Sequence, residues 1–179
     1  MTEKIIIAGA GGQGIMLLGK VLAVAVLKEN KHVSWLPAYG PEVRGGAAHC
    51  AVIISDDEIG SPWVDKADTL IIMNALSFKC FKGRVKKGGL IILNKSLVSK
   101  GVKKIGVSVL QYPFTDIAAK LGNVKVANMV ALGCYLAKKN IIQTKSIFKA
   151  MQDIAPEEGK KELIEINKRA LLSGKELVA

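Results

Sequence analysis

Short β-branched apolar runs alternate with helical spacing through the first two-thirds of the chain, and only helical spacing follows. Residues 4–8, Lys-Ile-Ile-Ile-Ala, form an apolar run that predicts a buried strand. A glycine-dense turn comes next, and the apolar residues from Ile15 to Leu27 predict a helix over about 14–28. His32 to Leu36 predicts a second strand running into a loop with Pro37 and Pro41, and residues 47–54 predict a third, closed by Ser55-Asp56-Asp57. Further strands are predicted at Thr69–Met73, at Leu90–Leu93 after the Gly88-Gly89 break, and at Ile105–Leu110, which Pro113 ends. A helix is expected near 75–82. Thr115–Leu121, Val126–Lys139 and Lys145–Asp153 then read as helices, the middle one apolar nearly all round and therefore buried. A last helix starts after Pro156 with Glu157 and Glu158 in its first turn, setting Leu163, Ile166, Ala170, Leu171 and Leu177 along one face. This order predicts an α/β fold: a Rossmann-like, mostly parallel sheet with helices on both faces and a helical C-terminal part. No repeat or linker interrupts it, so a single domain over 1–179 is expected.

The turn after the first strand carries the first candidate chemistry. Gly9, Gly11 and Gly14 stand at G-x-G-x-x-G spacing between a predicted strand and a predicted helix, with Gly12 and Gln13 between them. Glycine allows a tight turn and close backbone approach, and the helix start offers free N–H groups to an anion. A conventional nicotinamide site also needs an acidic residue about 20 positions on, at the end of strand two. That place reads Ser34-Trp35-Leu36-Pro37-Ala38, without a carboxylate or an arginine, which argues against an ordinary dehydrogenase. The bland reading stays open: the glycines serve only to pack the first helix onto the sheet.

A second glycine-rich stretch, Tyr39-Gly40-Pro41-Glu42-Val43-Arg44-Gly45-Gly46, follows strand two on the side where open α/β sheets bind ligands. Arg44 is suited to clamp a phosphate, a carboxylate or an acidic partner residue, or else pairs with Glu42 to hold the loop. His49 and Cys50 are strand neighbours on opposite faces, so they make no nucleophile–base pair. Cys50, Cys80 and Cys134 form no C-x-x-C motif and read as buried thiols.

Charge sharpens the picture. The net charge is +11, split as 6 basic against 8 acidic residues over 1–74, and 20 against 7 over 75–179. Such a half attracts anions, but its lysines lack aromatic interleaving or a nucleic-acid motif, so nucleic acid is not the expected partner. Apolar stretches of about 12–13 residues are too short for a membrane span. With no secretory signal at the N-terminus, a cytoplasmic protein is expected.

Taken together, Ile7-Ala8-Gly9-Ala10-Gly11-Gly12-Gln13-Gly14 and Trp35-Leu36-Pro37-Ala38-Tyr39-Gly40-Pro41-Glu42-Val43-Arg44-Gly45-Gly46 resemble the gamma subunit of 2-oxoacid:ferredoxin oxidoreductases. Ile59-Gly60-Ser61-Pro62, Lys87-Gly88-Gly89-Leu90 and Leu121-Gly122-Asn123-Val124-Lys125-Val126-Ala127-Asn128-Met129 fit the same family. The tryptophan-bearing motif is most similar to the 2-oxoglutarate type, also called 2-oxoglutarate synthase; pyruvate, branched-chain and indolepyruvate types are near relatives. The resemblance implies a subunit of an enzyme that converts 2-oxoacid, coenzyme A and oxidised ferredoxin to acyl-CoA, carbon dioxide and reduced ferredoxin. Thiamine diphosphate, magnesium and iron–sulfur clusters are then expected on alpha, beta and ferredoxin-like delta partners. No catalytic residue, metal ligand or firmly bound cofactor is expected on this chain, and in isolation it should be inactive. Gly9, Gly11, Gly12, Gln13, Gly14 and Arg44 are its candidate coenzyme A contacts; Tyr39, Glu42 and Arg44 are its candidate partner interface. The alternative is a stand-alone nucleotide-binding regulator using the same crevice.

Overall fold

The computed structural model describes residues 1–39, 47–98, 106–154 and 161–178. Its strands are β1 (Thr2–Ala10), β2 (His32–Tyr39), β3 (Ala47–Ser55), β4 (Ala67–Ile72), β5 (Val85–Asn94) and β6 (Ser108–Tyr112). They make one six-stranded sheet in the order β2-β3-β1-β4-β5-β6. The β1–β4, β4–β5 and β5–β6 pairs are parallel, while β3 runs antiparallel to both β1 and β2. The sheet is mostly parallel, as the alternating pattern predicts, and β3 is the strand that runs in reverse.

The helices are α1 (Ile15–Leu27), α2 (Ala75–Phe81), α3 (Phe114–Lys120), α4 (Ala127–Lys139), α5 (Thr144–Ile154) and α6 (Lys161–Glu176). They divide unequally between the faces. Ile5 and Ile7 of β1, Val52 and Ile54 of β3 and Ile92 of β5 point to the side packed by α1 and α3–α6. Ile6, Ala8, Ile53, Leu70, Ile72 and Leu93 point to the other side, where Phe78 and Phe81 of α2 cover them. Because α1 follows β1 onto one face and α2 follows β4 onto the other, the chain reverses its winding between those strands. Open α/β sheets form their ligand crevices at such a switch point.

The sequence-based boundaries shift at particular residues. Pro37 belongs to β2, paired with Cys50, instead of ending the strand at Leu36. β2 is a sheet edge, where proline's missing N–H costs no ladder bond. β5 begins at Val85 and passes through Gly88 (φ 77) and Gly89, with a register shift against β4 between Ala67 and Thr69. α4 is buried from Ala127 through Leu136, as its all-round apolar pattern predicts. The expected α6 start at Pro156–Glu158 lies outside the described residues. Along α6, Ala170 and Leu171 are buried but Leu163 is exposed.

His49 and Cys50 face opposite sides, as expected. His49 stacks at 4.8 Å from the Phe81 ring, and burial, then the Arg84 charge, holds its pKa below the usual value. Cys50 and Cys134 are buried, and burial pushes both thiols up to about 12. Cys80 is exposed, against the expectation of three buried thiols, because it sits on the solvent side of the short helix α2.

Candidate functional site

The candidate site lies at the C-terminal ends of β1, β4 and β5. β1 runs to Ala10, the chain turns through Gly11, Gly12 and Gln13, and α1 begins at Ile15 with Gly14 as its N-cap. Gly14 adopts a left-handed conformation (φ 70, ψ 26), and no side chain caps the helix. A usual N-cap places a Ser, Thr, Asp or Asn oxygen over the first free N–H groups. Here that space carries no side chain of the cap residue. By contrast, α2 is capped by Asn74, whose Oδ1 accepts from the Ser77 N–H at 2.8 Å. Among the described residues, the N–H groups of Gly11 and Gly12 make no hydrogen bond with a protein acceptor.

Gly9, Gly12 and Gly14 each have a separate physical reason. A Cβ on Gly9 would sit 2.7 Å from both Gln13 Oε1 and Ile15 Cδ1, so close packing excludes it. Gly12 (φ 91) needs the left-handed region but faces open space. Gly14 needs that region and also lies against the Asn128 side-chain amide, which a Cβ would overlap. Gln13 folds back inside the turn: its Oε1 accepts from the Ala10 N–H at 2.7 Å and its Nε2 donates to the Met73 carbonyl at 3.4 Å. The side chain therefore shapes the loop from within.

Buried asparagines continue this lacing. Asn94, at the end of β5, donates to the Met73 carbonyl (3.3 Å) and to Thr115 Oγ1 (2.8 Å), joining β4 to the start of α3. Asn128, fully buried on α4, donates through Nδ2 to the Gly14 carbonyl at 3.0 Å. Asn74 and Asn94 carry no motif in the sequence, and Asn128 stands there only within the family-like run Leu121–Met129. The legible signal was a polar residue closing an apolar strand, or standing alone in an otherwise apolar helix.

Gly9 lies in the last pairs of β1, and Gly11, Gly12, Gln13 and Gly14 form the turn that follows it. Tyr39 is the last residue of β2, and Glu42 and Arg44 lie outside the described residues. The strands flanking that segment end beside the turn: Tyr39 pairs with Ala48, Ala48 with Gly9 and Ala47 with Ala10. The lysine-rich half does not gather here as a whole. Lys28, Lys145 and Lys149 line a groove of about 510 Å³ with Glu29, Gln143 and Ser146. It lies at the far end of α1, about 20 Å along the helix axis from the glycine turn. Among the described residues, no group of three or more His, Cys, Asp or Glu side chains is placed to hold a metal ion. No described helix is long and apolar enough to cross a membrane.

Fold and site together define an α/β domain with an uncapped helix start at its switch-point crevice. The chain belongs to the pyruvate ferredoxin/flavodoxin oxidoreductase family, which matches residues 4–177. It is 38% identical over 177 residues to the ketoisovalerate oxidoreductase subunit VorA of Methanothermobacter thermautotrophicus, covering 97% of this chain but 36% of that protein. It therefore spans about a third of the length of that relative. Against the 2-oxoglutarate synthase subunit KorC of Methanocaldococcus jannaschii the identity is 37% over 159 residues, 87% of this chain and 85% of that one. The keto/oxoacid ferredoxin oxidoreductase gamma subunit of Geobacter sulfurreducens superposes with a TM-score of 0.86 at 28% identity, covering 99% and 97% of the two chains. The resemblance to gamma subunits drawn from the two glycine-rich motifs is borne out.

Proposed function

We propose that this chain is the gamma subunit of a cytoplasmic, multi-subunit 2-oxoacid:ferredoxin oxidoreductase, and that it helps hold the phosphates of coenzyme A. The carrying observation is the left-handed glycine N-cap of α1, in a turn whose N–H groups at Gly11 and Gly12 make no hydrogen bond to a protein acceptor among the described residues. Backbone N–H groups at a helix start suit a phosphate, and an added Cβ at Gly12 would meet open space, so a ligand can approach the backbone. Arg44 is the cationic partner assigned to that turn. The strands on either side of its segment end beside Gly9 and Ala10.

The 2-oxoacid assigned is 2-oxoglutarate, on the Trp35–Glu42 motif and the similarity to KorC along nearly its whole length. Similarity to VorA makes the branched-chain 2-oxoacid the competitor to test beside it. Decarboxylation and electron transfer belong to partner alpha, beta and delta subunits carrying thiamine diphosphate, magnesium and clusters. Tyr39, Glu42 and Arg44 are proposed to face those partners, and residues 1–179 to act as one domain.

The test is anaerobic purification of the complex through a tag on this chain, with coenzyme A-dependent viologen reduction assayed on 2-oxoglutarate, 2-oxoisovalerate and pyruvate. Co-purified larger subunits with activity on 2-oxoglutarate are expected. A chain that elutes alone, inactive yet nucleotide-binding, overturns the reading. Arg44→Ala is expected to raise the KM for coenzyme A about tenfold with the complex intact, as loss of a charge-assisted bond requires. Loss of the complex would instead assign Arg44 to assembly.

A further inference from the structure

We infer that Asn128 is a positioning residue for the anion-binding turn: from α4 it fixes the Gly14 peptide and so aims the N-terminus of α1. This rests on the coenzyme A reading above. The Gly14 carbonyl accepts twice, from the Leu18 N–H at 2.9 Å and from Asn128 Nδ2 at 3.0 Å. The first is the opening bond of α1; the second comes from 114 residues away in sequence. Asn128 is held in turn, its Oδ1 accepting from the Met129 N–H at 2.9 Å. It is 1% exposed, and the residues around it on α4 from Ala127 to Leu136 are buried. A buried amide with its oxygen and one N–H engaged has little freedom to turn, so the Gly14 carbonyl has a fixed direction.

That direction matters because Gly14 has no side chain to stabilise its own cap. In an ordinary helix start the cap residue's oxygen fixes the first turn and covers the free N–H groups. Here the fixing is done through the carbonyl, and the N–H groups of Ile15, Met16 and Leu17 have no protein acceptor among the described residues. Asn128 takes over the fixing role of a cap through the Gly14 carbonyl. The contact also explains why position 14 admits no Cβ: the amide occupies that volume.

The experiment uses the purified complex carrying Asn128→Ala or Asn128→Asp. Asp keeps the shape but, at an alkaline assay pH that ionises a buried carboxyl, cannot donate to the Gly14 carbonyl, so it covers the case in which the alanine variant fails to fold. Both are expected to raise the KM for coenzyme A about tenfold, with kcat at saturation and the KM for 2-oxoacid unchanged. Lower pH is expected to restore the Asp variant towards wild type, because its protonated acid regains a donor. Unchanged coenzyme A kinetics in Asn128→Asp, while Arg44→Ala still raises that KM, overturns the positioning role alone. Coenzyme A kinetics indifferent to both residues overturn the site itself. A fall in kcat together with a rise in both KM values marks a general packing role and also overturns the inference.

Discussion

At Gly14 two demands meet: a φ of 70, and contact with the Asn128 amide. Gly12, two residues earlier, makes only the first demand, since a Cβ there meets nothing within 4 Å. Alanine at position 12 should lower stability by about 1–2 kcal/mol, the cost of a left-handed L-residue. Alanine at 14 adds overpacking against a buried side chain and should cost about 2–4 kcal/mol. Urea unfolding of the two variants checks the order, and equal losses would mean that Asn128 yields freely. The spacing of these glycines was legible in the sequence. Their different reasons were not, because Ile15 and Gln13 crowd Gly9 only once the turn closes, and Asn128 reaches Gly14 from another element.

Between elements, α4 and α6 cross with backbone against backbone. A Cβ on Gly133 would overlap the Leu171 carbonyl, and one on Gly174 would overlap the Val130 carbonyl. Backbone stands opposite backbone on both sides, so no side chain can swing away. Gly133→Ala and Gly174→Ala should each destabilise the protein by about 3 kcal/mol, the upper range for overpacking. The double variant should lose less than the sum, since one separation of the helices relieves both clashes. Denaturant midpoints of the three proteins test this. α4 itself was legible as a buried helix from its composition, but the crossing partner was not. Gly133 and Gly174 are ordinary small residues until the fold brings them together.

Across the whole molecule, charge is distributed by the fold in a way that a count by sequence half does not foresee. Lys28, from the near-neutral first half, joins Lys145 and Lys149 at one groove, and its ammonium pairs with Asp153. Lys139 reaches back to Glu3 at 3.1 Å, across the sheet's N-terminal side, where Thr69 also donates to the Glu3 carboxylate at 2.6 Å. These four lysines lie away from the glycine turn, and the phosphate site proposed there is assigned to backbone N–H groups and Arg44. The KM for coenzyme A in the purified complex should therefore rise only about two- to fivefold between 0.1 and 1 M salt, over which the Debye length shortens from about 10 to about 3 Å. A rise of a hundredfold or more would mean that a broad lysine field does the binding.

The sequence by itself determined the alternation of strands and helices, the mostly parallel sheet, the glycine turn and the family likeness. Those depend on local periodicity, turn chemistry and short motifs. Tertiary structure alone decided that β3 inserts in reverse between β1 and β2, because a hairpin's place in a sheet depends on pairing across the molecule. It also decided that Pro37 is tolerated on an edge, that Cys80 faces solvent, and that a buried asparagine on α4 stands behind the first helix. Each of these is set by a neighbour distant in sequence, and local pattern holds no record of which neighbour that is.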